Sequence, residues 1–227
     1  MPQLNNFAPV HCLVCRGEHI FTNYFEMGHG FSRINFTLMV ISQQIQQPMF
    51  TTVQTEQDVK DILALQALNH KSTVSEDTWQ SQGFVTVRHD FDVLWDMNRA
   101  YPSVIARAAN NDLAGYCLMM PRSFSSRIPI LEPMFTKLEQ MEDLRAQRWF
   151  VMGQICVAEA YRGQGVFDGM YQHLREIWKN DFDLIITEIS ERNPRSLRAH
   201  ERVGFQTFKV YENPHTGEKW HLVALEI

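Results

Sequence analysis

Lysine is missing from the first 48 residues of this 227-residue chain, and positive charge is scarce throughout: 21 Lys and Arg stand against 26 Asp and Glu, a formal net charge of −5. Proteins that grip nucleic acid or an anionic membrane do so through clustered Lys and Arg, so neither partner is expected. Long apolar runs are missing too. No stretch approaches the ~20 residues that a membrane-crossing helix needs, and the first residues carry neither a basic leader nor a continuous apolar segment. Cysteine is sparse, with Cys12 and Cys15 as a close pair and Cys117 and Cys156 as singles inside apolar runs where a thiol serves as a small hydrophobe. These absences predict a soluble, cytoplasmic protein in a reducing compartment.

What is present is ordinary for a globular chain: 44% hydrophobic and 21% charged residues, enough for one filled core plus an appendage. Residues 1–48 show no sustained period and read as an irregular extension, with residues 49–227 as the folded domain. His11, Cys12, Cys15 and His19 in that extension invite a zinc reading. Zinc ligand pairs normally stand apart with a folded finger between them, whereas these four crowd into one short stretch, so no metal is expected.

From Phe50 the pattern is regular. A short strand to Val53 precedes Thr55, a capping residue for a helix that carries Val59, Ile62, Leu63 and Gln66 on neighbouring turns. A second helix is predicted over Asp90 to Asn98, closed by Pro102. Two strands, Val104–Ala109 and Leu113–Met119, flank the turn residues Asn110, Asn111 and Asp112 and form a hairpin. Pro121 to Gln147, punctuated by three prolines, reads as a long irregular segment. Its Phe124, Met134 and Phe135 serve as a substrate lid or, the preferred reading, as an apolar underside. Then come a strand (Trp149–Val157), a glycine turn, a helix with Val166, Phe167, Met170, Leu174, Ile177 and Trp178 on one face, a strand (Leu184–Ile189), a short helix ending at Gly204, and two strands (Phe205–Tyr211 and Trp220–Ile227).

The sharpest local signal is Tyr161-Arg162-Gly163-Gln164-Gly165-Val166, set where a strand ends and a helix begins. Such a turn aims unpaired backbone N–H groups and the positive end of a helix dipole at one point, which attracts phosphate. Glycines let a pyrophosphate approach the amides, and Arg162 adds charge at the rim. A P-loop would need Lys and Ser or Thr after its second glycine, but Val166 and Phe167 follow Gly165. A dinucleotide fingerprint would place its third glycine one residue earlier than Gly169.

This motif resembles that of the GCN5-related N-acetyltransferase (GNAT) superfamily, whose pyrophosphate loop runs Gln or Arg, two residues, Gly, one residue, Gly or Ala. Arg162 and Gly165 fill the first two positions, and Phe167 replaces the final small residue. A second element matches as well: Asn193, Ser196 and His200-Glu201-Arg202-Val203-Gly204-Phe205 resemble the superfamily's Asn followed by a helix ending in Tyr, three residues, Gly-Phe. The resemblance implies an α/β fold of GNAT type, a mixed, largely antiparallel sheet of about seven strands with four helices. It implies acetyl-CoA as cosubstrate and transfer of an acetyl group to a primary amine by direct attack in a ternary complex. The implied cofactor-binding residues are Cys156, Val157, Arg162, Gly163, Gln164, Gly165, Val166, Phe167, Asn193 and Ser196. In the family the strand ending at Val157 splays from the Leu184–Ile189 strand to admit pantetheine, and the Val157 N–H meets the thioester carbonyl.

An attacking alkyl ammonium must first lose a proton. Glu188 matches the position of a proposed base in acetyltransferases of ribosomal-protein N-termini; Glu159 and Asp90 are weaker candidates. His200 stands where the family has a tyrosine acid, and either protonates the leaving thiolate as imidazolium or packs beside the cofactor while solvent does so. Cys156 has no neighbour in sequence to activate it, so no acetyl-enzyme is expected. A non-catalytic acyl-CoA sensor is the alternative that Phe167 and His200 keep open. The resemblance implies a small-molecule or peptide amine as acceptor and admits a homodimer.

Overall fold

The computed structural model describes residues 48–213 and 216–227; the extension up to residue 47, with its His11–His19 cluster, lies outside the described residues. Seven strands form one sheet: β1 (Met49–Thr52), β2 (Val104–Arg107), β3 (Leu113–Met120), β4 (Trp149–Val157), β5 (Leu184–Ser190), β6 (Gln206–Glu212) and β7 (Lys219–Glu226). Their spatial order is β1-β2-β3-β4-β5-β7-β6. Every neighbouring pair is antiparallel except β4 and β5, which run parallel.

Alternation of side chains across the pleat gives each face its own core. One face carries Tyr116, Leu118, Met120, Trp149, Val151, Ile186 and Leu222. It is covered by α1 (Glu56–Asn69), α3 (Phe91–Ala100) and α4 (Glu132–Glu139) through Val59, Ile62, Leu94, Met97, Met134, Phe135 and Leu138. The opposite face carries Cys117, Met119, Phe150, Ile185 and Val223 and is covered by α6 (Val166–Trp178) through Val166, Met170, Tyr171 and Leu174. The result is helices on both sides of a mixed sheet. No helix among the described residues is long and apolar enough to cross a membrane.

The expected cap and hairpin are found. Thr55 Oγ1 accepts the Asp58 N–H while the Asp58 carboxylate accepts the Thr55 N–H, a closed capping box that starts α1. Asn111 takes φ 68° in the β2–β3 turn, a left-handed conformation that Asn tolerates.

Three helices add to the four read from sequence: α2 (Glu76–Gln82), α4 and α5 (Glu142–Arg145). The segment from Pro121 to Gln147 is therefore not irregular, and the prolines are the reason it looked so. Pro133 sits in the first turn of α4, where its missing N–H costs no hydrogen bond. Met134 and Phe135 are buried and Phe124 packs against the same core, so this cluster is an apolar underside and not an open lid.

Two irregularities shape the middle of the sheet. The β3–β4 register slips between Leu118, opposite Gln154, and Met119, opposite Met152, so Gly153 is the extra residue of a bulge in β4. Farther along, Gly115 lies so close to β4 that an added Cβ would stand 2.8 Å from the Cys156 carbonyl oxygen. Backbone cannot yield as a side chain does. Gly115→Ala is expected to cost about 1–3 kcal/mol, or roughly 3–10 °C in melting temperature, measured by thermal denaturation against Ala114→Gly as a neighbouring control.

Candidate active site

β4 and β5 are paired only at Trp149–Leu184, Phe150–Ile185 and Val151–Ile186. Beyond Val151 and Ile186 the two strands continue without pairing, and the sheet forks. A cleft of about 700 Å³ opens there, lined on the β4 side by Ile155, Cys156 and Val157 and on the other by Asn193, Ser196 and Arg198, with Arg162, Gly163, Gly165, Val166 and Phe167 at its mouth. That volume suits a cofactor-sized ligand.

The mouth is built by backbone conformation. Gly163 and Gly165 have φ of 74° and 77°, and a Cβ built on either would meet nothing within 4 Å. Only glycine adopts two such left-handed residues without strain, and the turn delivers the chain into α6 with Gly165 as its N-cap. The N–H groups of Val166, Phe167 and Asp168, in the first turn of that helix, have no intrahelical partner and sit at the positive end of its dipole. The wall is also cationic. Arg162, Arg195, Arg198 and Arg202 all line the cleft of a chain whose net charge is −5. Burial, and then the charges of Arg162 and Arg198, pull the Arg195 proton affinity below its usual value. A phosphate-bearing ligand fits this donor set.

Arg162 is braced rather than free. Its Nε donates to the Val157 carbonyl at 3.2 Å, Nη2 to Asn69 Oδ1 at 2.7 Å and Nη1 to Gln82 Oε1 at 2.5 Å. Arg195 likewise bonds the Ser81 carbonyl, and Arg202 pairs with Asp168. The ends of α1 and α2 thereby fix the loop, through Asn69 and Gln82, two residues that the local sequence pattern does not single out.

Backbone pairing also orients Val157. The Ala158 N–H donates to the Ala114 carbonyl at 2.9 Å, and neighbouring residues of an antiparallel ladder alternate sides. The N–H and C=O of Val157 therefore turn away from β3 toward the fork. Its carbonyl is the one that accepts Arg162 Nε, and its N–H faces the cleft.

The remaining residues named from sequence fall into place unevenly. Asn193, 7% exposed, caps α7 (Pro194–Arg202) by accepting the Ser196 N–H at 3.2 Å and donates to the Phe84 carbonyl at 3.1 Å. Its side chain fastens the adjoining loop to the cleft wall. Gln164 does not line the cleft; its amide donates to the Ala160 carbonyl at 2.8 Å, so only its backbone serves the turn. Phe167 packs edge-on against Tyr171 and His200, each with ring centroids 5.2 Å away. The bulky replacement is accommodated in an aromatic cluster. Cys156 lines the cleft, and burial pushes its thiol up to about 12, which favours the protonated thiol. Glu159 and Asp90 are absent from the walls of the cleft.

A smaller cavity of about 70 Å³ adjoins the cleft, sharing Phe84, Val85, Ile155, Asn193 and Ser196 with it, and is closed by Glu188, His200, Gln154 and Trp220. Burial raises Glu188 to about 7, against the opposing hydrogen bond from Tyr211. The bonds of His200 bear on its two readings. The Ser196 carbonyl only accepts, so His200 Nδ1 carries the proton at 2.7 Å and Nε2 accepts from the Tyr171 hydroxyl at 2.8 Å. With both nitrogens engaged, and burial lowering its pKa to about 4, the imidazole is neutral at pH 7. Of the two readings of His200, this geometry supports the one in which it packs beside the cofactor while solvent protonates the thiolate.

His89, also buried, is held near 4 by desolvation. Folded His89 and His200 take up protons only near 4, the unfolded chain near 6.5, so stability from these two is lost as pH falls through that window. Glu188 acts oppositely: its carboxyl is protonated in the fold up to about 7 but in the unfolded chain only below about 4.5, so acidification stabilises through it. Two groups outweigh one. The melting temperature is expected to fall from pH 6.5 to 4.5, and His200→Phe, less stable overall, is expected to flatten that slope; calorimetry across the range checks both.

Comparison with solved structures identifies this architecture. The chain is similar to the ribosomal-protein-S18-alanine N-acetyltransferase of Escherichia coli, at 13% identity and TM-score 0.52 over 79% of this chain and 94% of that one. It is similar to Ard1 from Thermoplasma volcanium, at 10% identity and TM-score 0.55 over 80% and 98%. A Salmonella typhimurium protein solved with its cofactor acetyl-CoA shares 14% identity and TM-score 0.54 over 79% and 94%. No curated protein sequence matches the chain. The fold is thus that of the acetyltransferases. Residues 66–205 match the family model described as the Acetyltransferase (GNAT) family, and the chain belongs to that family.

Proposed function

We propose that this protein transfers the acetyl group of acetyl-CoA to a primary amine by direct attack. The observation that carries the reading is the fork between β4 and β5, with the Gly163–Gly165 turn at its mouth, four arginines along its lining and a carboxyl held to about 7 in the adjoining cavity. In this reading the loop amides and arginines take the phosphates, and the cofactor's arm lies between Val157 and Asn193. The Val157 N–H donates to the thioester oxygen as it gains negative charge, a preorganised donor in a desolvated slot. Glu188, from the adjoining cavity, accepts the ammonium proton by way of a bridging water, and solvent protonates the departing thiolate.

Proton affinities narrow the acceptor class. An α-amino group titrates near ~8 and a lysine amine near ~10.4, so transfer to a carboxylate near 7 is uphill by about one unit in the first case and more than three in the second. Each unit is a factor of ten, which favours the α-amine of a peptide. The E. coli relative is named for an alanine substrate of a ribosomal protein, and a further structural neighbour was solved bound to a peptide and CoA. The titrating carboxyl in the second cavity favours catalysis over a sensor.

The test is a CoA-release screen across α-amine peptides, free lysine, polyamines and small amines. Amine-dependent release, strongest with α-amines at pH 7, is expected. Slow hydrolysis that no amine stimulates would instead favour the acyl-CoA sensor.

A further inference from the structure

β3 and β4 are antiparallel neighbours that a turn of a few residues would join, yet the chain spends residues 121–148 between them. Part of that insertion is α4, whose Met134, Phe135 and Leu138 are buried against the α1 face of the sheet. On α4, Lys137 Nζ stands 4.8 Å from the centroid of the Tyr211 ring, within reach of the attraction between a cation and an aromatic face. The Tyr211 hydroxyl in turn donates to Glu188 Oε2. Three elements far apart in sequence, α4, β6 and β5, thus meet in one chain of contacts ending at the carboxyl of the small cavity.

We infer that the insertion between β3 and β4 completes the acceptor site, with Lys137 and Tyr211 as positioning residues that hold the Glu188 carboxylate in one orientation and leave Oε1 to receive the proton. The inference rests on the reading of Glu188 as proton acceptor. A phenol is a suitable clamp here. Burial and the adjacent Glu188 charge raise Tyr211 above its ordinary value, so it remains a donor. The ammonium over its ring face also stabilises the ionised partner without occupying its oxygens.

The groups that face Glu188 act in opposite senses. Lys137 from α4 and Tyr211 from β6 favour its charged form, whereas burial and Glu218, in the turn before β7, disfavour it. His200, on the wall supplied by α7, is neutral. Glu218 is itself held by the Ser190 hydroxyl. These opposed influences make the test directional.

The experiment follows the Glu188 carboxyl by carbon NMR titration in the full chain with labelled glutamate, the resonance being assigned by its loss in Glu188→Gln, alongside kcat/KM against pH. Tyr211→Phe is expected to lower the carboxylate-to-acid ratio at neutral pH about tenfold and Lys137→Met about threefold. Lys137→Arg, which keeps a cation over the ring, is expected to restore the titration, and Glu218→Gln to move it the other way. The acid limb of kcat/KM should shift with each. A Glu188 titration unmoved in folded Tyr211→Phe and Lys137→Met would overturn the inference. A titration that moves while the rate profile stays fixed would instead overturn the assignment of Glu188 as base, on which the catalytic part depends.

Discussion

Gly165→Asp is expected to weaken acetyl-CoA binding by about 100- to 1,000-fold with the fold intact. Gly165 has φ 77° and open space where a side chain would go, so neither collision nor packing loss follows from the substitution. Asp and Asn are the side chains that best tolerate this conformation. What Asp adds is a negative charge at the place where helix N-terminus and arginines gather for phosphate. Two like charges ~4 Å apart repel by about 4 kcal/mol at the effective dielectric of a protein surface, and solvent reduces that to the stated range. Gly165→Asn has the same shape and backbone strain but no charge, and should cost less than about tenfold. Calorimetric titration of all three proteins with coenzyme A separates the causes. Equal and mild weakening by Asp and Asn would place the diphosphate elsewhere.

That loop is also where sequence and structure agree most closely, because its determinants are local. A strand, a left-handed turn and a helix N-terminus are written in adjacent residues, and Thr55, Asn111 and Gly204 mark their own boundaries in the same way. Determinants spread along the chain were not legible. Nothing near Arg162 indicates that Asn69 and Gln82 will hold it, and nothing near Glu188 indicates Tyr211 or Lys137. The helix α2, Glu-Asp-Thr-Trp-Gln-Ser-Gln, has one large apolar residue and no stripe to betray its period. α4 was hidden by Pro133, which sits in its first turn. His200 shows the limit from another side. A histidine in a family's tyrosine position suggests acid chemistry, but only its burial and its bonds to Ser196 and Tyr171 decide which form it takes.

Glu188→Gln carries the second large effect, a fall of about 10²- to 10⁴-fold in the chemical step, the usual contribution of a positioned general base. The amide is nearly isosteric and still accepts from Tyr211, so the fork and the cofactor cleft should be undisturbed and coenzyme A affinity unchanged. The pH dependence supplies the sharper criterion. Because burial holds the Glu188 carboxyl near 7, the wild-type kcat/KM is expected to fall tenfold per unit below about pH 7, as the base protonates. In Glu188→Gln that limb should disappear, leaving only the ionisation of the amine, which climbs toward higher pH. An α-amine substrate, with half its molecules already neutral near ~8, should then lose less than a lysine amine does at the same pH, since the glutamine variant relies on solvent for the proton. Single-turnover acetyl transfer at several pH values, with acetyl-CoA saturating, measures the step without product release. A variant that kept the wild-type rate and its acid limb would remove the carboxyl from the reaction, and the amine would have to reach the thioester already deprotonated by water.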